Sequence, residues 1–406
     1  MIQRHTCNNG VRVVLENIPS VRSVTIGIWV LTGSRNENDK NNGISHFIEH
    51  MFFKGTNTRS AQDIAEAFDS IGGQINAFTS KEYTCYYAKV LDTHKEYALD
   101  ILTDMFFNSA FDEEEMEREK KVVYEEIKMY EDTPDDIVHD LLARASFGEH
   151  PLGYPILGTE ENLQSFSPND LRNYIKQGYA PDNVVVSVAG NVEEAFIKKV
   201  ESNFGSYQSN GRNEDISKPR FLANTIERHK DTEQAHFCLG YNGMAVGADN
   251  TYSLVVMNNV LGGSMSSRLF QDVREKQGLA YSVFSYHSSF LDNGMLTIYA
   301  GTGKEQLSLL KDTINQTVDK LIKDGLTDKE LKNSKEQLKG GLVLGLESTN
   351  SRMSRNGRNE LLLKRHRTID EMIQEIDAVN HESIKEVIQT TFSSPASMAL
   401  IAPKGE

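Results

Sequence analysis

The feature that most constrains how this 406-residue chain can fold is that its second half replays its first. In the first half, the Val- and Ile-rich segments Val11–Asn17 and Val21–Leu31 read as two strands of a hairpin or meander. Gly43–Phe53 has the apolar spacing of a helix, and Ala61–Ile71 has it again, with Ser60 as cap and Gly72-Gly73 as stop. A strand pair is expected over Gln74–Leu91, then helices over Lys95–Phe107, Glu113–Tyr130 and Pro134–Ala145, and a short buried strand at Val184–Ala189. The same order returns as a strand at Gln234–Tyr241, a helix at Asn250–Gly262, a strand pair over Leu279–Thr302, and helices over Glu305–Lys323 and Asp328–Leu346. FDEEEMEREK at Phe111 and LTDKELKNSK at Leu326 are the clearest short echo. A repeat of this size makes duplication the better reading than chance.

Irregular alternation with hairpins favours an α+β fold: two homologous domains, each a mostly antiparallel sheet with helices packed on one face. The Gly-, Ser- and Asn-rich tract before Pro219 is the natural linker. The expected organisation is a domain over 1–208, a linker over 209–221 and a homologous domain over 222–406.

Composition narrows the function. A hydrophobic content of 38% with 25% charged residues is that of a water-soluble globular protein. The net charge of -15 disfavours nucleic acid and anionic membrane as partners, since both require a positive surface. Cys7, Cys85 and Cys238 form no Cys-x-x-Cys pair and read as free thiols. MIQRHTCNNG lacks the apolar stretch of a signal peptide, and no run approaches a membrane span, so a cytoplasmic location is expected. No phosphate-cradling glycine motif follows a strand.

The chemistry is concentrated in GISHFIEHMFFKGT. His46 and His50, four apart, share a helix face, and Glu49 can reach the same point. Paired imidazoles at this spacing suit zinc, and a neighbouring carboxylate suits a water-activating base; this is the inverted form of His-Glu-x-x-His. The apolar surround of Phe47, Ile48, Met51, Phe52 and Phe53 is foreign to a surface salt-bridge cluster, and buried polar groups need partners. A third ligand is sought on Glu113–Tyr130, where Met116, Val122, Val123, Ile127 and Tyr130 define the inward stripe. Glu119 and Glu126 fall within it and Glu125 outside. Glu126 is assigned as ligand and Glu119 as its support; pairing of both with buried Lys or Arg is the alternative.

HFIEH, the distal Glu126 and the later REKQGLAYSV together resemble the pitrilysin/insulinase metallopeptidases, in the shorter branch that includes the processing peptidases, over nearly the whole chain. The resemblance implies one zinc per chain on His46, His50 and Glu126, with Glu49 as general base and Glu119 as assisting carboxylate. It implies that Arg274 and Tyr281 approach the substrate and donate to its developing oxyanion. It also implies that Asn76, Ala77, Phe78 and Thr79 lie on an exposed edge strand receiving a peptide, and that Gly262 and Gly263 belong to a substrate-engaging glycine loop; a glycine pair is also an ordinary helix stop. The implied activity is zinc endopeptidase cleavage of extended peptides or precursor segments. It takes place in a clamshell chamber built by two chains, a homodimer or a pair with a heteromeric partner. Setting the two halves side by side places the metal positions near Val256, Asn259, Val260 and Gly341, so the second half is expected to have lost the metal.

Overall fold

A computed structural model describes residues 2–209, 211 and 216–404, so the part of the expected linker at 210 and 212–215 lies outside the described residues. The chain divides into two compact units, and neither is a continuous stretch. The first comprises 1–128, 154–216 and 345–366; the second comprises 129–153, 217–344 and 367–406.

In chain order the elements are β1 (Ile2–Thr6), β2 (Arg12–Asn17), β3 (Ser23–Val30), α1 (Ile44–Phe52), α2 (Ala61–Asp69), β4 (Gln74–Thr79), β5 (Thr84–Leu91), α3 (Lys95–Asn108), α4 (Glu113–Glu131), α5 (Pro134–Phe147), α6 (Glu160–Ser165), α7 (Pro168–Gly178), β6 (Val184–Gly190) and α8 (Phe196–Phe204). They continue as β7 (Thr225–Lys230), β8 (Gln234–Asn242), α9 (Thr251–Gly262), β9 (Ala280–Ser289), β10 (Gly294–Gly303), α10 (Leu307–Asp324), α11 (Asp328–Gly345), α12 (Thr349–Leu362), α13 (Ile369–Ala378), α14 (His381–Thr391) and β11 (Ser397–Pro403). None of the described helices is long and apolar enough to cross a membrane.

The sheet of the first unit runs β1-β2-β6-β3-β5-β4 and that of the second β7-β11-β8-β10-β9. With β1 set aside, the two orders match strand for strand, and each holds one parallel pair, β2 with β6 and β7 with β11. The expected two-domain α+β fold with mostly antiparallel sheets is therefore present, and its repeat extends to the topology. One detail differs. β2 and β3 do not form a hairpin, because β6 lies between them, parallel to β2 and antiparallel to β3. The run VVVSVAG is buried at every position, which suits a central strand covered on both faces.

β3 shows how both faces are covered. Val24, Ile26, Ile28 and Val30 join α1, α3 and α8 in the main core. On the opposite face Thr25 and Trp29 meet α12, through Thr25 Oγ1 to Thr349 Oγ1 at 2.9 Å and Trp29 Nε1 to Met353 Sδ at 3.3 Å. The approach is close enough that a Cβ on Gly357 would lie 2.3 Å from Trp29 Nε1. Ion pairs and hydrogen bonds fix the helix: Arg352 and Asn356 donate to Glu16, while Glu360 accepts from Arg4 at 2.8 and 3.0 Å and lies 2.7 Å from His366 Nε2. The second unit repeats the device with α5, whose Ile137, Val138 and Leu142 pack with Cys238, Ala399 and Ile401. Each sheet is thus closed on its far face by a helix from the other half of the sequence, a second difference, since helices cover both faces where one was expected.

Burial alone would raise the Glu360 carboxyl, but hydrogen bonds from His366 and Arg4 outweigh it and hold it at about 2. A carboxylate depressed on folding contributes stability above its ordinary range and loses it as pH falls through the folded value. Glu360→Gln is expected to cost about 3 kcal/mol at neutral pH. In urea melts the gap from wild type should close as pH falls from about 4.5 towards 2; a gap independent of pH would refute the ionic docking of α12.

Candidate metal centre

The helix that carries His46, Glu49 and His50 begins at a tight corner. Gly43 sits in the left-handed region at φ 99°, and a Cβ there would lie 2.8 Å from the Cα of Gly158. With no capping side chain at Gly43, the orphan amides of the first turn are met from outside by Glu37, which accepts from Gly43 N at 2.8 Å, Ser45 N at 2.9 Å and Asn42 Nδ2 at 2.9 Å. Glu37 is buried, and burial raises its carboxyl against the pull of these donors. Nothing local in the sequence marks it, because the cap arrives from a 3₁₀ turn upstream instead of from the position before the helix.

From this start α1 buries Phe47, Ile48, Met51 and Phe52 and turns its other face towards α4. There the two imidazole rings stand 4.7 Å apart, and Glu126 Oε2 lies 3.8 Å from His46 Nε2 and 3.4 Å from His50 Nε2. One donor atom from each of the three residues falls within 4.8 Å of the others. Behind them Glu119 Oε1 lies 2.7 Å from His50 Nδ1, so Nδ1 carries a proton that it donates to this carboxylate, while Nε2 faces Glu126. Lys54 Nζ lies 2.6 Å from the other Glu119 oxygen. The two readings of Glu119 meet here, since it pairs with a lysine and also orients the histidine. Glu125 is exposed as expected; Val122, read as inward, is 53% exposed, because only Met116, Glu119 and Val123 of α4 are buried.

The electrostatics follow from this packing. Burial, aided by His50, lowers His46 to about 4 and keeps it neutral. For His50 burial acts downward too, but the hydrogen bonds of Glu119 and Glu126 outweigh it and push the ring to about 9. Burial raises Glu49, while a 2.6 Å hydrogen bond donated by Thr79 Oγ1 opposes the rise. Two imidazoles and a carboxylate that converge in this way, with one imidazole held from behind by a second carboxylate, fit a tetrahedral zinc site with a position left for water.

Asn76, Ala77, Phe78 and Thr79 lie on β4, the edge strand of its sheet. Ala77 and Thr79 share the α1 side, whereas Phe78 points to the opposite face, its ring 5.6 Å from that of Trp29. In the second unit Arg274 sits on a short π-helical turn, Phe270–Glu275, with its guanidinium 4.7 Å from the ring of Tyr281, which is 80% exposed. Gly262 and Gly263 end α9. A Cβ on Gly262 would lie 2.5 Å from Ser285 N, so this glycine is what lets the helix close on β9.

The second unit keeps the outline of the centre without its imidazoles and carboxylates. Ser285 Oγ donates to Asn258 Oδ1 at 2.8 Å as Thr79 does to Glu49, and Asn259 Nδ2 donates to Ser334 Oγ at 2.9 Å where His50 meets Glu119. The counterparts of His46, Glu49 and His50 are thus Val255, Asn258 and Asn259, one residue earlier than Val256, Asn259 and Val260. With the ring of His50 released, Glu119→Ala is expected to weaken zinc binding by about 10- to 100-fold in chelator competition; unchanged affinity would exclude an orienting role.

Two family descriptions match the chain, "Insulinase (Peptidase family M16)" over residues 12–160 and "Peptidase M16 inactive domain" over residues 165–338. An uncharacterized zinc protease of Bacillus subtilis, YmxG, is 64% identical over 100% of this chain and 99% of its own length. One of Streptomyces coelicolor is 40% identical over 99% and 90% respectively. The crystal structure of a protease from Helicobacter pylori shares the fold with a TM-score of 0.91, at 23% identity and 99% coverage of both chains. On these matches the chain belongs to the insulinase family of peptidases, family M16.

Proposed function

We propose that this protein is a zinc-dependent endopeptidase whose metal is held by His46, His50 and Glu126 and whose general base is Glu49. The observation that carries this reading is the convergence of His46 Nε2, His50 Nε2 and Glu126 Oε2 on one point, with the Glu49 carboxylate on the same helix. When bound there, zinc supplies Lewis acidity towards a water and towards the scissile carbonyl oxygen.

The chain's own residues do the rest. Glu49 takes a proton from the attacking water and delivers it to the leaving amine. Its half-buried setting raises its affinity for that proton, and Thr79 holds the carboxylate in place through one oxygen. Glu119 keeps the His50 ring in the ligating orientation. The substrate main chain lies along β4 as an added strand, a mode that reads backbone amides before side chains and suits many peptide sequences. Tyr281 and Arg274, stacked on one another, donate hydrogen bonds to the oxyanion. Two chains build the chamber as a homodimer, which would elute from a sizing column near twice the chain mass.

The test is zinc content together with cleavage of a mixed peptide library by wild type and Glu49→Gln. Zinc retained in both, with turnover lowered by about 10²- to 10⁴-fold in the variant, is expected for a general base; full turnover in the variant would remove Glu49 from the mechanism. Tyr281→Phe is expected to lower kcat by about 10²-fold with little change in KM, and a change confined to KM would make Tyr281 a binding residue only.

A further inference from the structure

A second cluster in the first unit joins three kinds of metal donor. His5 on β1, Cys7 immediately after that strand and Glu201 on α8 each place one ligand atom within 4.8 Å of the others. The period of an extended chain turns His5 and Cys7 to one side. The backbone around them is tied down: Cys7 N donates to Val11 O at 2.8 Å, Gly10 N to Cys7 O at 2.9 Å, and Asn9 Nδ2 to both Phe204 O and Tyr207 O at 2.8 Å. These bonds hold the turn after β1 against the end of α8, the helix that presents Glu201.

The donors are poorly served by one another. Cys7 is 3% exposed, and its thiol is pushed up by burial and then by the charge of Glu201. Nε2 of His5 is shielded from solvent and makes no aligned hydrogen bond, although Glu201 Oε1 lies only 3.1 Å away. A cation between the three would give the imidazole a partner and neutralise both the carboxylate and a thiolate. A tetrahedral zinc sets neighbouring donors about 3.5 Å apart, which small side-chain adjustments reach from the present spacing.

We propose that His5, Cys7 and Glu201 form a second metal site, distinct from the peptidase centre, which takes a borderline-soft divalent cation of the zinc class and keeps its fourth position for water. Binding releases the thiol proton to solvent, and no electron is transferred. The site clamps the N-terminal strand to α8 and fills in addition to the zinc of the peptidase centre.

Cobalt distinguishes the two sites, because His46, His50 and Glu126 offer no sulfur. Full-length protein titrated with Co²⁺ is expected to develop a thiolate-to-cobalt charge-transfer band in the near ultraviolet. The band should survive in His46→Ala, vanish in Cys7→Ser and be displaced by zinc. Cys7→Ser should also bind one equivalent of zinc fewer than wild type while Glu49-dependent cleavage continues. Should Cys7→Ser fold poorly, His5→Gln, altered at a partly exposed side chain, is expected to weaken cobalt binding by about tenfold or more. Absence of the band in folded wild type, its persistence in folded Cys7→Ser, or unchanged affinity in His5→Gln would each overturn the site and leave His5 and Glu201 as a plain ion pair beside a core thiol.

Discussion

Everything at the centre depends on the cost of bringing two imidazoles and their attendant carboxylates out of water onto facing helices. Such groups are tolerated only where each finds a partner of fixed geometry. The line Lys54, Glu119, His50 meets that condition for one ring and Thr79 meets it for Glu49. The demand for fixed geometry reaches further, to the buried Glu37 that starts α1 and to the glycines at 43 and 158 that let two backbones touch. The imidazoles and carboxylates of the cluster lie on helices anchored in the apolar core of the first unit, which holds their geometry.

Much of this was legible in the residues because it is periodic. The spacing of His46, Glu49 and His50 and the stripe holding Glu119 and Glu126 are local patterns, and local patterns survive without tertiary knowledge. What escaped was non-local. The pairing of β2 and β3 with β6 depends on a strand far along the chain, and neighbouring strands with a short connection look like a hairpin until a third strand claims the space between them. The helix α12 was unreadable for another reason. SRMSRNGRNELL has no apolar stripe, and it binds the sheet through ion pairs, a methionine and a glycine contact. Glu37 was hidden because a cap from outside a helix leaves no motif. The misplacement of Val122 shows the limit of a wheel drawn on a helix that touches its neighbours on a narrow strip.

The duplicated half shows what remains when the chemistry is removed. Asn258 and Asn259 hold the hydrogen-bonding places of Glu49 and His50, and Ser285 and Ser334 hold those of Thr79 and Glu119. Neutral amides and hydroxyls satisfy the same polar junction between helix, helix and strand without a charge to be answered. The junction is therefore an element of the fold, and the cluster of His50, Glu49, Glu119 and Thr79 is one version of it in which imidazole and carboxylate groups replace amides and hydroxyls.

The exchange of α5 and α12 between the halves has a bearing on how the protein is made. On a ribosome the first sheet is complete once β6 has emerged, yet the helix that shields its far face is not synthesised until residue 362, near the end of the chain. Until then Trp29 and its apolar neighbours have no cover of their own. The second sheet has the opposite history, since α5 is present before its first strand. The nascent protein therefore holds an unfinished β-surface from residue 190 to residue 362, and the interval invites aggregation or chaperone capture until α12 docks.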